Sequence, residues 1–164
     1  MPITPFHFGP GALVTVASRG QVSFLAFCAS NVLIDVESLY NMSTRAPRIH
    51  TFFHTYIGAT LAAAVVIAGF YPARLLARKF PLSPGVSWRE LSIIPVSTGA
   101  LLGAWSHVLL DSIMHGDITP IAPFSDANPH YGVISLRALH LCCIIAGVIG
   151  LAFWLRVVAR RDAQ

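Results

Sequence analysis

The sequence predicts an all-α, polytopic transmembrane bundle of about four long helices plus a short N-terminal helix, folded as one unit over residues 1–164. Three observations carry the prediction. Hydrophobic residues make up 55% of the chain and charged residues only 11%, where an ordinary soluble domain is about 25% charged. The apolar residues fall in continuous runs of roughly membrane length. Lys and Arg gather at the ends of those runs rather than along one face, the pattern of membrane flanks and not of a nucleic-acid surface.

In order, the runs are residues 8–18, 22–39, 52–71, 91–114 and 134–155. A helix rising 1.5 Å per residue needs about 20 residues to cross the hydrocarbon layer. The first run reaches only about 17 Å. It reads either as a crossing or as a half-span packed as a hairpin on the second run, turning at Arg19-Gly20-Gln21. No Lys or Arg precedes Arg19, so the start reads as mature structure rather than a signal peptide. Pro95 falls inside the fourth run, where a membrane helix accepts it if neighbours satisfy the freed carbonyl. Cys28, Cys142 and Cys143 lie in apolar runs without CxxC spacing and read as buried thiols.

If the chain changes sides at each run, Arg19, Arg74, Arg78, Lys79, Arg89, Arg156, Arg160 and Arg161 share one side, and Arg45, Arg48 and Arg137 the other. That asymmetry predicts a multi-pass protein of the cytoplasmic (inner) membrane, with its C-terminus in the cytoplasm and its N-terminus outside. The polar residues fall on the sparsely charged side. His7 precedes the first run, Asp35 and Glu37 end the second, His50 and His54 open the third, His107, Asp111 and His115 close the fourth, and Asp117 follows. Counted back to the basic ends, His54 stands about 30 Å from Arg74, His107 about 27 Å from Arg89 and Asp35 about 24 Å from Arg19, close to one level.

Ionisable groups in membrane helices are costly unless they face inward and find partners. Residues four apart share a helix face, so His50 with His54, and His107 with Asp111 and His115, are expected to form two stripes. Imidazoles and carboxylates together suit one or two divalent transition-metal ions, zinc first by ligand type, manganese or iron as alternatives. The candidate ligands are His7, Asp35, His50, His54, His107, Asp111 and His115. An ion with open positions activates water at neutral pH. Asp117 or Glu37 is then the candidate general base, and Arg48 or Arg45 the anchor for an anionic substrate group. His140, without a partner at helical spacing, is left out. The competing classes are a haem carrier using paired histidines, an ion or proton pathway, and a non-catalytic membrane protein with a structural metal.

Ile34-Asp35-Val36-Glu37, His50-Thr51-Phe52-Phe53-His54-Thr55, and Ser106-His107-Val108-Leu109-Leu110-Asp111 running on through Gly116 to Pro123-Phe124 resemble the inner-membrane, metal-dependent hydrolase family. That family is distantly similar to zinc-dependent phospholipase C. The opening Thr4-Pro5-Phe6-His7 is similar to the family's start. The resemblance implies metal-ligand roles for His7, Asp35, His54, His107 and Asp111, with His115 suiting a further ligand. It also implies metal-dependent hydrolysis; the expected bond is an ester or phosphoester, and the depth of the site, at the headgroups, makes a membrane lipid or lipid-linked molecule the expected substrate. The chain departs from the pattern in three places: Leu33-Ile34 replaces Pro-Asp, Glu37 replaces the second Asp, and the step from His50 to His54 is one residue shorter.

Overall fold

A computed structural model describes residues 5–79 and 91–162 of the chain. Thr4 and Arg89, used above, lie outside the described residues. The elements are α1 (Phe8–Ala17), α2 (Phe24–Ser43), α3 (Tyr56–Ala77), α4 (Ile93–Met114) and α5 (Leu136–Asp162), with short 3-10 turns at Pro5–His7 and Phe52–His54. No strand occurs among the described residues. Three stretches, Tyr56–Leu76, Ile93–Met114 and Leu136–Ala159, are long and apolar enough to cross a membrane. The expected fourth span falls on α2, which has 20 residues but carries Asn31, Asp35, Glu37 and Asn41 among them.

Local chemistry sets the boundaries. Ser23 and Thr55 adopt extended backbone and cap α2 and α3, accepting from the Ala26 and Gly58 amides. The Thr55 cap starts α3 at Tyr56, so residues 52–54 leave the helix that their hydrophobicity predicts. Pro95 lies in the first turn of α4, where the missing N–H would have no intrahelical partner anyway. Its carbonyl accepts from the Ser23 amide (2.8 Å).

Helices α2, α3 and α4 enclose a core rich in small residues: Ala26, Ala59, Ala62, Ala63, Ala100 and Ala104, with Ile34, Val66, Val96 and Val108. Lipid tails offer no hydrophobic drive between helices, so close van der Waals approach and interhelical hydrogen bonds hold such bundles together. A Cβ on Gly103 would stand 2.5 Å from the Phe27 carbonyl oxygen, which fixes how near α2 comes to α4. Trp105 Nε1 donates to Thr60 Oγ1 (3.0 Å) between α4 and α3. The chain reverses at Arg19 and Gly20, both at positive φ, where the hairpin turn is expected. The short helix α1 nevertheless lies chiefly on α5 rather than on α2. Gly9 permits this, since a side chain there would collide with the Cys143 carbonyl.

Candidate metal centre

Three elements deliver four side chains to one buried point. Asp35 comes from the middle of α2, His54 from the 3-10 turn, and His107 and Asp111 from adjacent turns of α4. They are 6%, 1%, 0% and 3% exposed, and one ligand atom from each lies within 4.8 Å of every other. Asp111 Oδ2 stands 3.4 Å from His107 Nε2 and 3.5 Å from His54 Nε2, and His107 Nε2 stands 3.5 Å from Asp35 Oδ1. Bonds of about 2.0–2.1 Å in a tetrahedron place neighbouring donors about 3.3–3.4 Å apart, so these atoms have the spacing of one coordination shell. His7 joins from the N-terminal turn. Its ring stacks on His107 (centroids 4.5 Å) and its Nε2 lies 3.1 Å from Asp111 Oδ1.

The supporting contacts fix which ring nitrogen faces the centre. Asn31 Nδ2 donates to the carbonyls of Phe27 (2.8 Å) and Gly103 (3.3 Å). Both partners are acceptors, so the amide can turn only one way, and its Oδ1 meets His107 Nδ1 at 3.0 Å. His107 therefore carries a proton on Nδ1 and turns Nε2 towards two carboxylates, a place that calls for positive charge, supplied either by a second ring proton or by a metal ion. Asp35 Oδ1, His54 Nδ1 and His107 Nε2 are buried without a hydrogen-bond partner, which an ion would supply in part. On the far side of His54, Glu37 Oε2 faces Nδ1 at 3.7 Å. Burial disfavours a charged His54 ring, yet the carboxylates of Asp111 and Glu37 outweigh it and raise its pKa; the pocket draws positive charge.

Beside this centre lies a second group, His50, His115 and Asp117, again with ligand atoms mutually within 4.8 Å. His50 Nδ1 stands 2.9 Å from Asp117 Oδ2. The His50 ring packs against His115 (centroids 4.5 Å) and against His54 (4.7 Å), so the two groups adjoin. His50 is buried, His115 half-buried and Asp117 exposed. Burial pushes the His115 pKa below its ordinary value, favouring a neutral ring. Partial burial works against ionisation of Asp117, but its hydrogen bond to His50 outweighs this and lowers its pKa.

The expected helical stripes are corrected in two places. His50 and His54 lie in a bend and a 3-10 turn, and their rings meet through a loop rather than on one helix face. His115 is the C-cap of α4 with extended backbone (φ −120°, ψ 120°), which turns it away from the His107–Asp111 face and towards His50. Nor do Asp35 and Glu37 end a helix, since α2 runs on to Ser43. Glu37, expected as a base or ligand, accepts from the amides of Phe52 (3.1 Å) and Phe53 (2.8 Å) and so ties the His54 turn to α2. Arg48 and His50 line a surface cavity of about 380 Å³ together with Thr51, Phe52, Thr55 and Asp126; Arg45 does not.

Two contributors escaped sequence reasoning. Asn31 orients His107, and its only signal is a lone amide one helical turn before Asp35. His140 stacks on Phe6 (centroids 4.3 Å) and so braces the turn that carries His7. Compared with known proteins, the chain matches no family model, no curated protein and no solved structure.

Proposed function

We propose that the chain is a membrane-bound, metal-dependent hydrolase acting on an ester or phosphoester of a lipid or lipid-linked substrate. The observation that carries this reading is the buried set Asp35, His54, His107 and Asp111, in which Asn31 turns His107 Nε2 towards two carboxylates. Zinc is the favoured ion by ligand type and spacing. The charge asymmetry of the loops supports the cytoplasmic membrane, with the site towards the outer face and the C-terminus inside. A lipid substrate is supported by the exposed Phe52, Ile121 and Phe124 (49%, 40% and 82%) at and beside the Arg48 cavity.

When bound, a divalent cation would polarise the ester or phosphoryl oxygen and lower the pKa of water. The chain's own residues do the rest. Arg48 holds the anionic group in the cavity. With the buried ion alone, Asp117, exposed and paired with His50, is free of metal and accepts the proton of the attacking water. Glu37, with both oxygens on backbone amides, positions His54 rather than moving protons.

The test is elemental analysis of detergent-purified protein beside hydrolysis of a panel of lipid phosphoesters and carboxyl esters. Stoichiometric metal, with the buried ion and turnover lost in His107→Ala and Asp111→Ala, is expected. Wild-type protein without metal overturns the reading; metal without turnover on any ester reduces it to a structural site.

A further inference from the structure

We propose that the chain binds a second divalent cation on His50, His115 and Asp117, and that this outer ion, with Arg48, forms the seat for a phosphate-ester anion. The use of that seat in hydrolysis rests on the function proposed above; the binding of the ion does not.

Two separate pieces of chain build the outer group, and each is held in place. His50 sits in the bend before the 3-10 turn, and Thr51 beside it accepts from Asn41 Nδ2 on α2 (3.1 Å). His115 turns off the end of α4, with its carbonyl and that of Ser112 accepting from Asn128 Nδ2 (3.0 and 2.9 Å). Asp117 follows in the same loop, which returns to α4 through the Gly132 amide on the Ile113 carbonyl (3.1 Å). The imidazoles converge before any ligand arrives, which is what a ligand shell requires and what two solvent-exposed histidines seldom do.

Exposure and charge then divide the labour between the two centres. Four nearly buried donors surround the inner point, whereas three donors at a solvent-facing edge leave positions open to an anion arriving from the cavity. On Asp35 and Asp111 a divalent ion is neutralised. On Asp117 with two neutral imidazoles it keeps a net positive charge, which Arg48 reinforces and Asp126 partly offsets. His50 belongs to both the outer group and the cavity wall, so an anion in the cavity meets that positive field. Thr51 and Thr119 line the same cavity, offering hydroxyl donors to phosphate oxygens, while Phe52 and Ile57 give an apolar flank.

The experiment uses the full chain in detergent, stripped with chelator and reloaded with zinc or cobalt. Wild type is expected to bind two ions; His115→Ala and Asp117→Ala each keep one, and His107→Ala loses the other. Asp117→Asn controls for packing, and is expected to weaken the outer ion at least tenfold. In cobalt-loaded wild type the visible bands shift on adding inorganic phosphate, and the shift is lost in Asp117→Ala and weakened in Arg48→Ala. A response to phosphatidate in mixed micelles but not to glycerol phosphate assigns the anion to a lipid headgroup; a response to both assigns it to soluble esters as well. One ion in wild type, lost in His107→Ala and kept in His115→Ala, overturns the outer site while the buried centre stands. No ion in wild type removes both, and two ions without a phosphate response remove the anion seat.

Discussion

Replacing Asn31 separates the tuning of the buried centre from its ligation, because the Asn31 side chain hydrogen-bonds the Phe27 and Gly103 carbonyls and His107 Nδ1 and so decides which nitrogen His107 presents. In Asn31→Ala the His107 Nδ1 loses its acceptor at 3.0 Å, and the Phe27 and Gly103 carbonyls lose a donor at 2.8 and 3.3 Å. A buried polar group left unsatisfied costs about 1–3 kcal/mol. Loss of an outer partner of a ligating histidine weakens metal binding about 10–100-fold, which is about 1.4–2.8 kcal/mol. The ranges coincide for a physical reason. Without Asn31 the ring can turn or exchange tautomers to recover a hydrogen bond, and binding must reverse that change. The assay is competition for zinc against a chromogenic chelator, with thermal unfolding followed in the same detergent. An affinity unchanged within twofold, alongside a lowered Tm, would refute the orienting role and leave Asn31 as a helix-packing residue only.

Glu37→Gln keeps the side-chain shape but offers one acceptor to two amides. It should lower Tm, as expected when a charged hydrogen bond of about 1.5–3 kcal/mol is lost, and weaken zinc binding without removing the ion; an unchanged unfolding curve would count against the tie. His140→Leu removes the stack on Phe6, worth about 0.5–1.5 kcal/mol. A two- to tenfold loss of zinc affinity with full stoichiometry is expected by the same chelator competition. No loss would mean that His7 is placed without α5.

The fold class was legible because length and apolarity are summed along the chain, and neither depends on contacts. The cluster was legible for a related reason: ionisable residues at comparable heights on helices that share a membrane must meet or go unpaired, and Asp35, His54, His107 and Asp111 meet. The division into two groups was not legible. It depends on where α3 begins and where α4 ends, which Thr55 and the extended His115 backbone decide, and a spacing of four residues looks the same inside a helix and across its end. The packing of α1 on α5 also lay beyond the pattern, since short loops suggest neighbours while the bare backbone at Gly9, not the turn at Arg19, chooses the partner. Asn31 was hidden because an amide in an apolar run has the same signature whether it orients a ligand or merely packs.

Helix α2 bears on whether lipid surrounds the bundle. Its buried residues are Ala26, Phe27 and Ile34 together with the polar Ser30, Asn31, Asp35 and Ser38, whereas Leu25, Val32, Val36 and Leu39 are exposed at 47%, 52%, 51% and 38%. A surface helix of a soluble protein has the opposite arrangement, with apolar residues inward. An inner face that carries four polar residues and an outer face of exposed aliphatic ones suit a helix whose outer neighbour is hydrocarbon, even though its mean hydropathy falls short of the other spans. Val32→Asp tests this directly. The position is near the middle of α2, and a short carboxylate cannot reach the interface from there. At the centre of a membrane helix such a charge costs about 2.5–3.5 kcal/mol, while an exposed substitution in water usually changes stability by about 0.5 kcal/mol or less. The expected outcome is a large loss of folded, membrane-integrated protein, measured by alkaline extraction and by detergent-resistant monodispersity. Wild-type yield and Tm for Val32→Asp would mean that α2 meets water there, and the site would then open to solvent along its length rather than at one end.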